Sequence, residues 1–279
     1  MSFHHNPDLN VLFRSALAET YELEAAKRIA STSYSLSELV RTKPHPQDVV
    51  VPRYYMLPFY KDTQSDIEKL TGCKIINSFS EHRYVADLKN WYNDLKDLTP
   101  KTYFDISQIP EGSYVLKGET NSKKQQWKKQ MFASSKTEAF EVCSRLMNDG
   151  YVGTQNIYAR EYVPLSSFGE AVNGMPISEE YRFFYYRDKQ LTGGFYWTEH
   201  VEHVLEEGYR PNPKLVPEAF LEKIANIVSP NIPFWVVDVA KTQTGDWIVV
   251  ELNDGCMSGL SCCPPYFLYK NLKQCIQNK

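Results

Sequence analysis

The first hundred residues alternate short apolar runs with amphipathic stretches. Apolar runs typical of β-strands lie at 10–16, 48–55 and 73–78. Stretches with apolar residues at helical spacing, typical of α-helices, lie at 19–32, 63–72 and 84–95. Strands that alternate with helices in this way predict βαβ units on a parallel sheet. The N-terminal part of the chain is therefore predicted to have an α/β fold.

The pattern changes after the stretch 99–112, which is rich in proline, glycine and polar residues and is predicted to be a linker. Strand patterns follow at 113–118 and 156–165, helical patterns at 135–150 and 217–229, and hairpin patterns at 179–197 and 235–255. Because most of these strands belong to hairpins, we expect antiparallel pairing and an α+β fold. The chain is predicted to divide near residue 100.

The composition is that of a globular protein with enough material for a sizeable core. The chain has 279 residues, of which 42% are hydrophobic, 14% are aromatic and 23% are charged. This aromatic content argues against a disordered chain. The formal net charge of −3 argues against a protein that binds nucleic acid through bulk positive charge, although a local basic groove stays open. Nucleic acid is therefore not favoured as a partner.

Cysteine usage and hydropathy indicate a cytoplasmic protein. None of the six cysteines forms a C-x-x-C pair, so a zinc site is not expected and the thiols are predicted to be reduced. No apolar run reaches the roughly 18 residues of a membrane span. The N-terminal residues lack the apolar core of a secretory signal.

The last predicted hairpin carries polar oxygen-bearing groups between apolar residues. Asp238 lies in its first strand, and Glu251 and Asn253 lie two residues apart in the second. Alternate residues share one face of a strand, so all three side chains can converge on one face. Converging oxygen ligands without histidine or cysteine suit Mg²⁺. The alternative is a hairpin with one solvated polar face.

Basic residues precede this hairpin. Lys117 closes an apolar strand and enters a loop, 118–130, that also contains Lys124. A lysine at a strand end beside a flexible loop can meet a phosphate as a point charge, although most such lysines are simply solvated.

Two arginines lie inside apolar strands, Arg160 in the first and Arg182 in the second. Arginine in such a position usually has an anionic partner. Glu180, two residues before Arg182, would give an internal ion pair, whereas the functional alternative is a clamp on a polyphosphate.

The order of these features resembles the ATP-grasp superfamily, and more closely its clade named for two arginines and one lysine. Residues 113–260 resemble the ATP-grasp unit, and the segments NSFSEHRYVADLKNWY and LTPKTY resemble those that precede it in the clade. The resemblance implies an ATP-grasp fold with a pre-ATP-grasp domain at 1–100 and an ATP-grasp domain at 101–279. The latter would contain a first lobe, 113–163, and a second lobe, 164–279, that carries the Mg²⁺ site.

The resemblance also implies roles for individual residues. Lys117 would contact the α- and β-phosphates of ATP, with Lys124 as a second phosphate contact. The hinge residues Glu161, Tyr162 and Val163 would read the adenine edge, largely through backbone groups. The two arginines of the clade would be Arg160 and Arg182, near phosphate or the acyl substrate. The Mg²⁺ ligands would be Asp238, Glu251 and Asn253.

The substrate side is indicated more weakly. The backbone N–H groups of Ser258 and Gly259 could meet an anion. His82 and Arg83 match the pre-ATP-grasp segment, where helix capping is an equal alternative to substrate binding. Arg53 ends a parallel strand, and ligands bind outside the carboxyl ends of such strands.

The chemistry implied by the family is a ligation through an acylphosphate. A carboxylate, on a small molecule, a peptide or a macromolecule, would be phosphorylated by Mg·ATP to leave ADP, and an amine or another nucleophile would then displace phosphate. The loop 118–130 would act as a lid. Two alternatives stay open: a phosphotransferase or nucleotide-dependent modifier of RNA or protein, and a nucleotide-binding module without turnover.

Overall fold

The structure is a computed structural model that describes residues 5–14, 20–120, 122–150, 152–171 and 174–278. Its strands are β1 (Leu9–Phe13), β2 (Ser31–Ser33), β3 (Val49–Arg53), β4 (Lys74–Ile75), β5 (Thr102–Tyr103), β6 (Tyr114–Gly118), β7 (Phe132–Ala133), β8 (Ile157–Glu161), β9 (Ser167–Glu170), β10 (Pro176–Ser178), β11 (Glu180–Tyr186), β12 (Lys189–Phe195), β13 (Phe234–Lys241) and β14 (Trp247–Asp254). Its α-helices are α1 (Thr20–Lys27), α2 (Leu36–Thr42), α3 (Tyr60–Thr71), α4 (Phe79–Ala86), α5 (Leu88–Leu95), α6 (Trp127–Gln130), α7 (Lys136–Met147), α8 (Val201–Glu206), α9 (Glu218–Val228) and α10 (Pro265–Gln277).

The N-terminal sheet has the strand order β2-β1-β3-β4, and all of its strand pairs are parallel. This confirms the predicted α/β arrangement. The predicted helix 19–32 was too long, because the chain turns back at Lys27 and residues 31–33 form β2. Sequence reasoning missed α2 as well. The predicted strand 10–16 and helix 19–32 extend into residues 15–19, which lie outside the described residues.

The predicted helix 84–95 is two helices, α4 and α5, that meet at Asp87. The backbone of Asp87 is extended, with φ −105° and ψ 118°, so it ends α4. Its side chain accepts a hydrogen bond from the amide of Lys89 and thereby begins α5. An aspartate in this position caps the second helix instead of continuing the first.

The predicted linker 99–112 contributes to the fold of the segment that follows it. Its strand β5 pairs with β8, and the second sheet has the order β5-β8-β6-β7 with antiparallel pairs. Helix α7 covers one face of this sheet with Ala139, Val142 and Leu146. The other face carries Val115, Lys117 and Arg160 towards a cavity.

The third sheet has the order β12-β11-β13-β14, again with antiparallel pairs. Strands β11 and β13 are buried on both faces. One face, with Phe184, Phe234 and Val236, packs with α10 and the N-terminal sheet, and the other packs with α9. Arg182 and Asp238 lie on the first face by alternation. The predicted α+β arrangement of this part is confirmed.

Two further sequence predictions can be compared with the structure. All six cysteines lie in the described ranges and are free thiols. No helix among the described residues combines the length and the apolar character that a membrane crossing requires.

Candidate active site

Arg182, Asp238 and Glu251 lie side by side on three neighbouring strands. Arg182 of β11 is the register partner of Asp238 of β13, which is in turn the partner of Glu251 of β14. Arg182 donates to both carboxylate oxygens of Asp238, from Nε and Nη2, at 2.8 Å each. Its third bond runs from Nη1 to the carbonyl oxygen of Gly259, at 2.7 Å.

The ion pair considered from the sequence, Glu180 with Arg182, does not form. Residues i and i+2 of one strand are about 7 Å apart, whereas directly opposed residues on neighbouring strands are about 5 Å apart. Arg182 therefore bonds with Asp238, a partner that only the strand register reveals.

The bonds between Arg182 and Asp238 limit which of the three predicted metal ligands can bind an ion. Asp238 is fully buried and both of its oxygens accept from Arg182, so it is not open to a metal ion as it stands. Asn253 donates weakly to Asp238, at 3.5 Å, which leaves its side-chain oxygen free for another group. Glu251 uses Oε1 to accept from Lys117 at 2.5 Å. Glu251 and Asn253, rather than all three residues, are the oxygen ligands that fit Mg²⁺.

The first cavity lies between the second and third sheets. Among the residues that line it are most of those predicted to bind nucleotide, namely Lys117, Lys124, Arg160, Glu161, Tyr162 and Val163. Apolar side chains complete the wall, among them Val115, Met131 and Ile248. An apolar slot with cations at one end suits a base attached to a polyphosphate.

Of the three backbone amides in the predicted hinge 161–163, two already donate hydrogen bonds within the protein. The Glu161 amide donates to the carbonyl of Lys101, and the Tyr162 amide donates to the carbonyl of Ser113, both at 2.8 Å. The amide of Val163 donates to no residue in the described part of the chain. If the hinge reads an adenine edge, the amide of Val163 is the donor it offers.

Arg160 is a buried cation that forms no ion pair with any residue in the described ranges. Its Nη1 donates to the carbonyl of Val250 at 2.7 Å, and its Nη2 donates to the hydroxyl of Thr99 at 2.6 Å. Val250 is the extra residue of a β-bulge in β14, between Val249 and Glu251. The Nε atom is buried and bonds with no described group. Burial lowers the pKa of Arg160 to about 10.

Lys124 reaches the same cavity from the loop. Its ammonium donates to the hydroxyl of Tyr196 at 2.6 Å and lies 4.4 Å from the centre of that ring. Burial opposes the charge, but Tyr196, Glu180 and Glu251 together raise the pKa of Lys124 above its usual range. Residue 121 of the predicted lid 118–130 lies outside the described residues.

Glu180 is a site residue that the sequence did not single out for this cavity. It is 3% exposed, and only its Oε2 has a partner, the hydroxyl of Ser178 at 2.9 Å. The other oxygen, Oε1, is buried and bonds with no described group. Burial raises the pKa of Glu180 to about 7 despite the charge of Lys124 nearby. A carboxyl group with such a pKa is typical of functional sites.

A second cavity adjoins the first and shares Lys117 and Glu251 with it. It is lined by residues of the N-terminal segment and of the loop after β14, among them His82, Trp91, Asn253, Met257, Ser258 and Gly259. Arg182 faces this cavity rather than the first one. We call it the acceptor pocket.

The two predicted anion-binding amides of the acceptor pocket differ. The amide of Ser258 and its hydroxyl both donate to the carbonyl of Asp254, at 3.1 and 2.8 Å. Ser258 therefore has no amide left for an anion. The amide of Gly259 donates to no described residue, so this backbone group alone fits the prediction.

The three predicted substrate residues of the N-terminal segment are placed differently. His82 lines the acceptor pocket. Arg83 is partly exposed on α4, 3.5 Å from Asp87, and lines neither pocket. Arg53 is buried, where its guanidinium donates to Glu22 at 2.7 Å and to the carbonyl of Gly255. Because that guanidinium is enclosed by protein groups, Arg53 joins the N-terminal sheet to the loop after β14 and does not reach the pocket.

A family model matches residues 105–272, and it describes an ATP-grasp domain, family 3 of the clade with two arginines and one lysine. The chain belongs to this family, which confirms the resemblance predicted from the order of the motifs along the chain. No curated protein matches the sequence.

Solved structures of ATP-grasp enzymes share the fold at low sequence identity. The D-cycloserine synthetase DcsG is 12% identical, with a TM-score of 0.57, over 96% of this chain and 99% of that one. The D-alanine–D-alanine ligase from Bacillus anthracis complexed with ATP is also 12% identical, with a TM-score of 0.57, over 97% of both chains. The ATP-grasp ligase PsnB, complexed with a precursor variant, Mg and ADP, is 9% identical, with a TM-score of 0.55, over the full length of both.

Proposed function

We propose that the chain is an ATP-dependent carboxylate–amine ligase that works through an acylphosphate and releases ADP. The observation that carries the proposal is that two cavities meet at Lys117 and Glu251. In phosphoryl transfer the phosphate donor and the acceptor lie on opposite sides of the transferred group, and nearby charged residues stabilise the transition state. The first cavity would take ATP and the acceptor pocket would take the carboxylate and the amine.

The charges of the first cavity support a polyphosphate ligand. Arg160 is buried and bonds with no anionic side chain in the part of the chain that the structure describes, and Lys117 and Lys124 line the same cavity. A buried cation without a counter-charge is costly, so an anionic ligand would stabilise this arrangement. Lys117 and Lys124 would contact phosphates, and Arg160 would meet the nucleotide near the hinge.

The oxygen ligands Glu251 and Asn253 would hold Mg²⁺. The ion, when bound, offsets negative charge on the phosphates. Lys117 would then exchange its bond with Glu251 for a bond with phosphate. On the acceptor side, Arg182 and the amide of Gly259 would orient the substrate carboxylate.

The acceptor pocket also supports the substrate class. Its open, polar wall suits a small carboxylate or the end of a peptide, and the structural neighbour PsnB was solved in complex with a precursor peptide. We further propose a division into a pre-ATP-grasp domain at 1–100 and an ATP-grasp domain at 101–279, and a cytoplasmic location. A nucleic acid acceptor is not favoured by the net charge of −3.

The test is product analysis with Mg·ATP, hydroxylamine, and a mixture of the twenty common amino acids and tryptic peptides. Hydroxylamine traps an acylphosphate as a hydroxamate, so the proposal predicts hydroxamate and ADP in equal amounts. Lys117→Met should abolish both, whereas Lys223→Met, a control on the exposed side of α9, should not. AMP as product would indicate adenylyl transfer, and a phosphorylated acceptor without hydroxamate would indicate a phosphotransferase. Nucleotide binding without any turnover would indicate a binding module.

A further inference from the structure

His82 of α4 and Asp254 at the end of β14 form a buried pair in the wall of the acceptor pocket. The Nδ1 atom of His82 lies 3.1 Å from Oδ2 of Asp254. Because a carboxylate oxygen accepts hydrogen bonds, Nδ1 carries the proton, and Nε2 is the unprotonated nitrogen of the neutral ring. The pair therefore selects one tautomer of His82.

The surrounding groups fix the position of this pair. Asp254 also accepts bonds from Tyr60, from Asn77 and from the amide of Cys256, at 3.0, 2.7 and 2.8 Å. The ring of Tyr60 stacks on the ring of His82, with centroids 4.6 Å apart and an angle of 24° between the planes. An imidazole held by a carboxylate on one side and an aromatic ring on one face has little freedom to turn.

The second nitrogen of His82, Nε2, has no hydrogen-bond partner among the described residues. Nε2 forms no hydrogen bond with any residue in the described ranges, although the residue is only 2% exposed. His82 lines the same pocket as Lys117 and Glu251, the two residues that this pocket shares with the first cavity. Nε2 is not one of the fully buried unbonded atoms of the described residues, so it has accessible surface, and a ligand in the pocket that His82 lines can bond with it.

We propose that His82 is the base that takes a proton from the ammonium group of the acceptor, with Asp254 as the residue that positions it. This inference rests on the proposed function. The side-chain amine of lysine has a pKa of about 10.4 and the α-amine of a peptide has a pKa of about 7.7–8.0, so at pH 7 most of either amine is protonated and has no lone pair for attack. Imidazole is the side chain most often used for such a transfer near neutral pH.

The step balances in protons and electrons. Nε2 accepts one proton from the ammonium group and leaves a neutral amine. The amine nitrogen forms a bond with the acyl carbon, the bond from that carbon to the phosphate oxygen breaks, and phosphate leaves with the electron pair. Phosphate takes the second N–H proton, and the imidazolium returns its proton to water.

The test compares two nucleophiles, an acceptor amine that must lose a proton and hydroxylamine, which need not. His82→Asn keeps a donor near Nδ1 for Asp254 and removes Nε2. Hydroxylamine is a far weaker base than an alkyl amine and is largely unprotonated at neutral pH, so it does not need the base. With Mg·ATP and the mixture of amino acids and tryptic peptides, the variant should lose amide formation by about 100-fold or more. Hydroxamate formation should stay within about twofold of the unmodified protein.

A pH profile gives a second readout, because a purely structural role of His82 would not change its shape. The groups packed against the ring are Asp254, Tyr60 and, from the same helix, Phe79. At pH 9 more of the acceptor amine is neutral than at pH 7, so the deficit of the variant in amide formation should shrink by at least about fivefold. A deficit that does not change with pH would contradict the proposal.

Two controls complete the experiment. His45→Asn, at an exposed histidine outside both pockets, should leave both reactions unchanged. If His82→Asn does not fold, His82→Gln replaces it. Equal loss of both reactions, or loss of neither, would overturn the role of His82 and leave the proposed function intact. An unmodified protein that forms neither hydroxamate nor amide would overturn the proposed function, and this inference with it.

Discussion

Lys117 and Glu251 form an ion pair of 2.5 Å between β6 and β14, and both residues line the first cavity and the acceptor pocket. Burial opposes the charge of Glu251, but the charges of Lys117 and Lys124 outweigh it and lower the pKa of Glu251 to about 2. Glu251 is therefore ionised throughout the neutral range. The pair occupies the point where we propose that phosphates and Mg²⁺ bind, so it must open when they do.

The Arg182–Asp238 pair predicts a stability effect without a large effect on metal binding. Asp238→Asn leaves the Arg182 guanidinium buried without its counter-charge, which should lower the free energy of unfolding by about 3–5 kcal/mol. Urea unfolding measures this change. Asp188→Asn, in an exposed pair with Lys189, is the control and should change stability by less than about 1 kcal/mol.

The same variant distinguishes the two roles considered for Asp238. If Asp238→Asn unfolds like the unmodified protein and loses only its Mg²⁺ dependence, then Asp238 is a metal ligand and the bonds described above are not its main contribution.

Tyr196→Phe tests whether the hydrogen bond from Lys124 to the Tyr196 hydroxyl positions Lys124 for ATP binding. The substitution removes the hydroxyl that bonds with Lys124 and keeps the aromatic ring. A net hydrogen bond contributes about 0.5–1.5 kcal/mol, so ATP affinity should fall about threefold to tenfold, measured by calorimetry. Tyr185→Phe, whose hydroxyl bonds with Gln190 outside both cavities, is the matched control. An unchanged affinity in Tyr196→Phe, with a loss in Lys124→Ala, would show that Lys124 needs no such support.

Glu180 predicts a pH dependence of stability. Its pKa in the folded protein is raised by burial to about 7, above the unfolded value of about 4.3. Between these values the folded state binds more protons than the unfolded state, so stability should fall as pH rises from about 4.3 to 7. Glu180→Gln has no proton to lose at this site, and its melting temperature should therefore fall less over that range.

The two melting curves, for the unmodified protein and Glu180→Gln, should differ most near pH 7 and above. Parallel curves across this range would show that Glu180 is ionised in the folded protein throughout and that Lys124 offsets its burial.

Alternation along β14 was enough to predict that Glu251 and Asn253 share one face, because successive side chains of a strand point to opposite faces. The order of the basic and acidic residues was likewise enough to identify the family. The choice of partners was not predictable. Arg182 pairs with Asp238 because of the register between β11 and β13, and register depends on long-range packing that local sequence does not contain.

The segment 99–112 shows a second limit. Its proline and polar residues indicate a linker, yet Thr99 accepts a hydrogen bond from Arg160 and β5 pairs with β8. A strand of two residues, such as β5, is too short to show an alternation of hydrophobic and polar residues. The role of Asp254 was hidden for a related reason, since its partners Tyr60 and Asn77 are more than 170 residues away along the chain.

The most direct test of the account is isothermal titration of ATP, with and without Mg²⁺, into the unmodified protein and into Lys117→Met/Glu251→Gln. The unmodified protein should bind ATP more tightly with Mg²⁺ than without it. The double variant should keep its fold, checked by circular dichroism, and lose at least about tenfold in affinity, because it lacks a phosphate contact and a metal ligand. Lys223→Met/Glu222→Gln on α9 is the matched control and should bind as the unmodified protein does. An ATP affinity in Lys117→Met/Glu251→Gln equal to that of the unmodified protein would contradict the proposed site.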